Sequence, residues 1–146
     1  MRVAVACDHG GVTLKPAVVE ELAARGAEVL DLGTHGTQSV DYPDFARLAV
    51  EAYIARECER IVLICGTGIG MSICANRVPG IRAALCHDEY TARMSRLHND
   101  ANCLVLGGRV IGPGLARAIV GVWMDTPFEG GRHEARVKKI EDMPGS

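Results

Sequence analysis

Hydrophobic positions along the chain form short runs, and stretches with hydrophobic residues at helical spacing separate these runs. The runs are RVAVAC, AEVLDL, RIVLIC, IRAALC and CLVL, which predict five strands at 2–7, 27–32, 60–65, 81–86 and 103–106. Runs that are apolar throughout are typical of strands buried on both faces. Helical spacing follows each strand, which predicts helices near 16–25, 44–56, 70–76, 89–97, 115–124 and 133–140.

This alternation of strands and helices predicts an α/β protein. Buried parallel strands joined by right-handed helical crossovers form an open sheet with helices on both faces. We therefore expect a five-stranded parallel sheet in a Rossmann-like three-layer sandwich, formed by a single domain over residues 1–146. No linker, internal repeat or low-complexity segment interrupts the pattern.

Composition narrows the possible functions. The chain has 146 residues, of which 48% are hydrophobic and 23% charged, values typical of one globular domain. The formal net charge of −2 and a content of only six aromatic residues argue against a nucleic-acid partner. No apolar run approaches the roughly 20 residues of a membrane span, and we expect no membrane partner and no export signal.

The cysteines are better explained by burial than by disulfide bonds or metal binding. Most of the six lie in apolar runs, where cysteine behaves as a small hydrophobic residue. No Cys-x-x-Cys pair occurs, and we expect no metal site. A reduced, cytoplasmic protein follows.

In open parallel sheets, ligands bind beyond the carboxyl ends of the strands. The segments at these positions are Asp8–Gly11, Cys65–Gly70, His87–Asp88 and Gly108–Arg109. The segment after the third strand, Cys-Gly-Thr-Gly-Ile-Gly, opens a helix and offers free backbone N–H groups to an anion. It departs from the dinucleotide motif because Met71 stands where the third glycine belongs.

Several candidate side chains have two interpretations. Cys65 lies between a strand and a helix N-terminus, whose partial positive charge suits an anionic sulfur. Arg132 and Arg136 share one helix face and suit a phosphate monoester, although an exposed terminal helix would also carry such a pair. His98 near a helix C-terminus fits either a favourable cation or a catalyst. Asp8 and His9, next to each other, either cap the following helix or face the site.

Several stretches of the chain together resemble the ribose-5-phosphate isomerase B family. This family belongs to a wider group that includes galactose- and allose-6-phosphate isomerases. The stretches are CGTGIGMS at 65–72, CDHGG at 7–11, SVDYPD at 39–44, SRLHNDAN at 95–102 and EGGRH at 129–133. The resemblance runs in order from residue 1 to about residue 140.

The resemblance implies a sugar-phosphate isomerase that works without a metal or organic cofactor. It implies a homodimer or a dimer of dimers whose sites lie between subunits. The proton-abstracting cysteine of the family corresponds to Cys65 and its ring-opening histidine to His98. The substrate-binding positions of the family correspond to Asp8, His9, Gly66, Thr67, Gly68, Ile69, Gly70, Asn99, Arg109, Arg132 and Arg136.

The implied reaction interconverts ribose 5-phosphate and ribulose 5-phosphate. His98 would open the furanose ring, and Cys65 would then remove the C2 proton to give a cis-enediolate. The N–H groups of the glycine loop would stabilise the charge on oxygen, and either Thr67 or Asp8 would move the second proton. The arginines and His9 would bind the phosphate.

Three alternatives remain on the residues alone. A hexose-6-phosphate isomerase of the same family would use the same mechanism. A nucleotide-dependent oxidoreductase is disfavoured by Met71. A non-catalytic phosphosugar-binding regulator would keep the glycine loop and the arginines but would have no use for Cys65 or His98.

Overall fold

The computed structural model describes residues 1–145. Its strands are β1 (Arg2–Cys7), β2 (Glu28–Asp31), β3 (Arg60–Cys65), β4 (Ala83–Leu85) and β5 (Cys103–Gly107). Its helices are α1 (Lys15–Ala24), α2 (Tyr42–Ile54), α3 (Ile69–Asn76), α4 (Glu89–Asn99), α5 (Pro113–Asp125) and α6 (Arg132–Glu141). The α/β class predicted from the sequence is confirmed.

All five strands are parallel, in the order β2-β1-β3-β5-β4. The chain moves outward from β1 to β2 and then crosses back to β3, so that α1 and α2 lie on opposite faces of the sheet. Helices α1, α4 and α5 pack together on one face, and α2 and α3 pack on the other. Helix α6 packs against α4. The predicted three layers are therefore present.

Successive side chains of each strand enter two separate cores. Val3, Val5 and Cys7 of β1 pack with α1 and α5, whereas Ala4 and Ala6 pack with α2 and α3. The same alternation in β3 sends Cys65 toward the α2–α3 face. Burial on both faces explains why the strand sequences are continuously apolar rather than alternating.

Among the strands, the largest departure from the predicted boundaries is in β4. The apolar run predicted a strand over 81–86, but the strand covers only three residues. Before it, the Asn76 side chain bonds both the N–H and the carbonyl of Ala83, and the Arg82 N–H donates to Asn102 Oδ1. Side-chain amides thus replace ladder partners at the start of this edge strand.

Helix α4 runs from the carboxyl ends of the strands to their amino ends. We call the edge where Cys7, Cys65 and Gly107 end their strands the carboxyl edge, and the opposite one the amino edge. Asp88 caps α4 at the carboxyl edge by accepting the Thr91 N–H at 2.6 Å, and the last turn of α4 reaches the amino edge. Within residues 1–145, no helix is both long and apolar enough to cross a membrane.

Candidate active site

Backbone hydrogen bonds join three loops at the carboxyl edge. The Gly108 N–H donates to the Cys65 carbonyl at 2.8 Å, and the Arg109 N–H donates to the Gly66 carbonyl at 2.9 Å. On the other side of β3, the Asp8 N–H donates to the Ile64 carbonyl at 3.2 Å. The segments that follow β1, β3 and β5 therefore form one connected surface, as the sequence predicted for strand ends.

Glycines allow these loops to approach each other closely. A Cβ added to Gly108 would lie 2.3 Å from the Gly10 carbonyl oxygen, and one added to Gly10 would lie 2.8 Å from the Gly66 nitrogen. Both contacts are with backbone, which has little room to move away. Their close approach requires glycine at these positions and fixes the backbone next to Cys65.

Cys65 is buried at the end of β3, and its Sγ accepts the Gly68 N–H at 3.1 Å. Gly68 has φ +81°, a left-handed conformation that turns the chain into α3 and aims this N–H at the sulfur. Such a donor stabilises negative charge on sulfur. Burial raises the pKa of Cys7 to about 11 and also raises the pKa of four other thiols, Cys58, Cys74, Cys86 and Cys103.

The glycine loop has both occupied and free N–H groups. Gly68 donates to Cys65, and the Ile69 N–H donates to Thr67 Oγ1 at 3.2 Å. Among residues 1–145, no acceptor pairs with the N–H groups of Gly66, Thr67 and Gly70. Three N–H groups of the loop are therefore free to bind a developing oxyanion, and that role stays a prediction.

The side chains of Asp8 and His9 are held in place by backbone groups. Asp8 is buried, and its Oδ1 accepts the Gly10 N–H at 2.8 Å, which leaves Oδ2 free. His9 Nδ1 accepts the Val40 N–H at 3.1 Å, so a neutral His9 carries its proton on Nε2. Nε2 can therefore donate to a ligand. The Asp8 bond to Gly10 closes a local turn before α1, and α1 begins at Lys15 without a side-chain cap, so Asp8 does not cap this helix. That Asp8 faces the site stays a prediction.

Lys15 and Tyr42 support this edge but were not among the residues that the sequence pointed to. Lys15 Nζ is buried and donates to the Thr34 carbonyl at 2.8 Å, which holds the loop that carries Val40. The Tyr42 ring covers Gly70, where an added Cβ would lie 2.4 Å from the ring. The pattern Tyr-Pro-Asp signalled only a helix start.

The remaining candidate residues lie at the amino edge. His98 and Asn99 end α4, and the Asn99 carbonyl accepts from Arg82 Nε at 3.0 Å just before β4. Arg132 and Arg136 are exposed on α6 and form no ion pair within residues 1–145. The Glu129 N–H donates to the Leu97 carbonyl at 3.1 Å, which ties the approach to α6 to the end of α4.

A single chain does not bring the predicted site residues together. The eleven residues of α4 separate the two edges by about 15 Å, since an α-helix rises 1.5 Å per residue. The carboxyl edge holds Asp8, His9, Arg109 and Cys65–Gly70, whereas the amino edge holds His98, Asn99, Arg132 and Arg136. Their assignment to one site stays a prediction.

Three side chains at the amino edge have the composition of a metal site. Ligand atoms of His98, Glu129 and His133 lie within 4.8 Å of one another. The two imidazole rings, however, stack with centroids 4.2 Å apart and planes 16° apart. An imidazole binds a metal in its ring plane, and nearly parallel planes do not converge on one ion. The rings would have to rotate before an ion bound here, and the absence of a metal stays a prediction.

A parallel sheet with a cysteine and a glycine loop at its carboxyl edge places the protein among α/β enzymes. Residues 3–140 match the family model described as Ribose/Galactose Isomerase. The chain is 46% identical over 139 residues to ribose-5-phosphate isomerase B of Escherichia coli (strain K12), with 95% of this chain and 93% of that protein covered. It is 43% identical over 141 residues to D-erythrulose-4-phosphate isomerase of Pectobacterium atrosepticum, with 96% and 93% covered.

A solved structure of Clostridium thermocellum ribose-5-phosphate isomerase B superposes with a TM-score of 0.94 at 55% identity, and the match covers 97% of this chain and 96% of that one. The chain therefore belongs to the ribose/galactose isomerase family and is an isomerase. The resemblance stated from the sequence is confirmed, and the oxidoreductase and regulator alternatives fall away.

Proposed function

We propose that the protein interconverts D-ribose 5-phosphate and D-ribulose 5-phosphate, with Cys65 as the base. The observation that carries the proposal is the position of Cys65. Its sulfur accepts one N–H of the glycine loop, and three unpaired N–H groups of the same loop lie beside it. A proton acceptor next to preorganised donors is what enolisation beside a carbonyl requires.

The proposed chemistry moves two protons. The Cys65 thiolate takes the proton from C2 of the open aldose and later delivers it to C1. The C2–H electron pair forms the enediolate double bond, and negative charge moves to the C1 oxygen, which the N–H groups of Gly66, Thr67 and Gly70 receive. The hydroxyl proton passes from O2 to O1 through Thr67 or Asp8. No electron acceptor is consumed, and we propose that no metal or organic cofactor takes part.

The substrate also requires ring opening and phosphate binding, and the amino edge carries candidate residues for both. Ribose 5-phosphate is mainly a closed furanose, and we propose that His98 moves a proton between its anomeric hydroxyl and ring oxygen. Arg132 and Arg136 bind the phosphate with Arg109 and His9, and Asn99 contacts the sugar. Since about 15 Å separates the edges of one chain, we propose a homodimer in which each site takes one edge from each subunit.

Helix α3 offers a surface for this dimer. It begins at the glycine loop and ends at Asn76, which lines a cavity of about 710 Å³ together with Asn99. Ile69 and Ile73 are exposed on one side of the helix, at 53% and 56%. A twofold axis crossing the middle of α3 would bury these isoleucines and set the carboxyl edge of one copy against the amino edge of the other.

Six free cysteines support a cytoplasmic location for this enzyme.

Hexose 6-phosphates are the second candidate substrates, because the family description includes galactose isomerases. A hexose adds one carbon between phosphate and C2, and a shift of about 1 Å can cost about 10²-fold in rate.

The test is competition between ribose 5-phosphate and allose 6-phosphate, with EDTA and without added cofactor. We expect kcat/KM to favour the pentose, and we expect EDTA to have no effect. An equal or higher kcat/KM for the hexose would replace the pentose assignment. Loss of activity in EDTA, restored by a divalent ion, would contradict the metal-free mechanism.

A further inference from the structure

His133 is a buried histidine with no hydrogen-bond partner for one of its ring nitrogens. It lies in the first turn of α6, is only 4% exposed, and its Nε2 is unpaired within residues 1–145. Glu129 Oε1 lies 3.8 Å from this nitrogen, beyond hydrogen-bond distance. A buried polar atom without a hydrogen-bond partner lowers stability. The His133 ring lies directly against the His98 ring, which suggests that His133 acts through His98.

We propose that His133 is a positioning residue for His98, an uncharged flat platform that holds the His98 ring in the orientation needed for ring opening. The proposal rests on the role proposed above for His98. The two rings stack with centroids 4.2 Å apart and an angle of 16° between their planes. No side-chain hydrogen bond within residues 1–145 fixes the half-buried His98 ring. The stack is therefore a contact that restricts rotation of His98.

The surroundings keep the platform neutral. Burial lowers the pKa of His133, and the facing groups His98, Arg132 and Arg136 lower it further, whereas Glu129 alone acts in the opposite direction. Two protonated imidazoles at this separation would repel each other.

Two variants separate a platform from other roles. His133→Phe keeps a flat ring that never carries charge, and His133→Ala removes the ring. Each is assayed with ribose 5-phosphate, which must be opened, and with erythrose 4-phosphate, whose phosphate occupies the only oxygen that could close a five-membered ring. The control is Tyr90→Phe, a change at an exposed position of α4 that also keeps a flat ring.

We expect His133→Ala to lower kcat with ribose 5-phosphate about tenfold, because an unfixed ring is misaligned for proton transfer. Its activity with erythrose 4-phosphate should stay within about twofold of the parent protein, and His133→Phe should stay near the parent with both substrates. If erythrose 4-phosphate turns over too slowly, solvent deuterium exchange at C1 of the acyclic ribulose 5-phosphate reports the same step.

Equal losses with both substrates in His133→Ala would overturn the proposal, as would a His133→Phe variant as impaired as His133→Ala. Including His98→Asn distinguishes this failure from a failure of the proposed function. A selective loss with ribose 5-phosphate in His98→Asn, without one in His133→Ala, overturns only the platform. A His98→Asn variant that loses both activities equally removes the ring-opening role of His98, and the platform with it.

Discussion

The carboxyl edge and the amino edge of the same sheet are built in different ways. At the carboxyl edge, the groups around Cys65 are backbone N–H groups in loops that approach each other so closely that a Cβ added to Gly108 would lie 2.3 Å from the Gly10 carbonyl oxygen. At the amino edge, the candidate groups are long, exposed side chains such as Arg132 and Arg136 on the last helix. Proton abstraction demands accurate geometry, which fixed backbone supplies, whereas a phosphate can be met by adaptable charges.

The largest effect is expected at the carboxyl edge, where the backbone is held in place. Cys65→Ala should lower kcat by at least about 10³-fold, because the proton acceptor is lost. Binding of ribose 5-phosphate should persist, since the N–H groups and the arginines remain. Steady-state kinetics and calorimetry measure the two quantities. Cys74→Ala, a half-buried cysteine on α3, is the matched control and should keep most of the activity.

Thiol labelling provides an independent check of the same residue. The Gly68 N–H favours an anionic sulfur at Cys65, and burial raises the pKa of the other five thiols. Iodoacetamide should therefore modify Cys65 first, and ribose 5-phosphate should protect it. Labelling at equal rates, or an active Cys65→Ala variant, would contradict the assignment of the base.

A second substitution tests whether the carboxyl edge of one subunit meets the amino edge of the other at α3. Ile73→Glu places a charge in the proposed dimer surface and should dissociate the dimer, with activity about 10²-fold lower at submicromolar enzyme. Sedimentation at several concentrations gives the oligomeric state. Ile54→Glu, at the end of α2, is the control because Ile54 is equally exposed, at 60%. An Ile73→Glu variant that stays dimeric would move the interface elsewhere.

The smallest effect is expected for Arg136, one of the exposed arginines at the amino edge. Arg136→Met should raise KM about tenfold, which corresponds to about 1.4 kcal/mol, the lower end of what one charge-assisted contact is worth. The fall in kcat should be smaller than for Cys65→Ala. Lys138→Met, two positions on and on another side of α6, should change neither constant. A selective loss of kcat in Arg136→Met would show that this edge also sets geometry.

The sequence predicted the elements and the carboxyl edge better than it predicted contacts between elements. Five apolar runs gave five parallel strands, and the glycine pattern after Cys65 gave the loop. The bond from Val40 to His9 and the cover of Gly70 by Tyr42 join segments about 30 residues apart, and spacing along the chain does not report such contacts.

The stack of His98 on His133 was also missed, because it depends on how α6 lies against α4. The separation of His98 from Cys65 was not predicted either, although the sequence carries a signal for it. A helix between two parallel strands returns to the opposite edge, and His98 lies at the end of such a helix. Only the resemblance to the isomerase family linked the two groups before the structure was known.

The central claim is that each site takes one edge from each of two chains. The most direct test combines the Cys65→Ala and His98→Asn chains in mixed dimers. Each variant is also assayed alone. If the edges come from different chains, a mixed dimer has one site with both changes and one intact site. Random reassembly after co-expression should then restore about a quarter of the parent activity, since half of the dimers are mixed and each has one working site. Activity no higher than the average of the two variants measured separately would contradict the shared site.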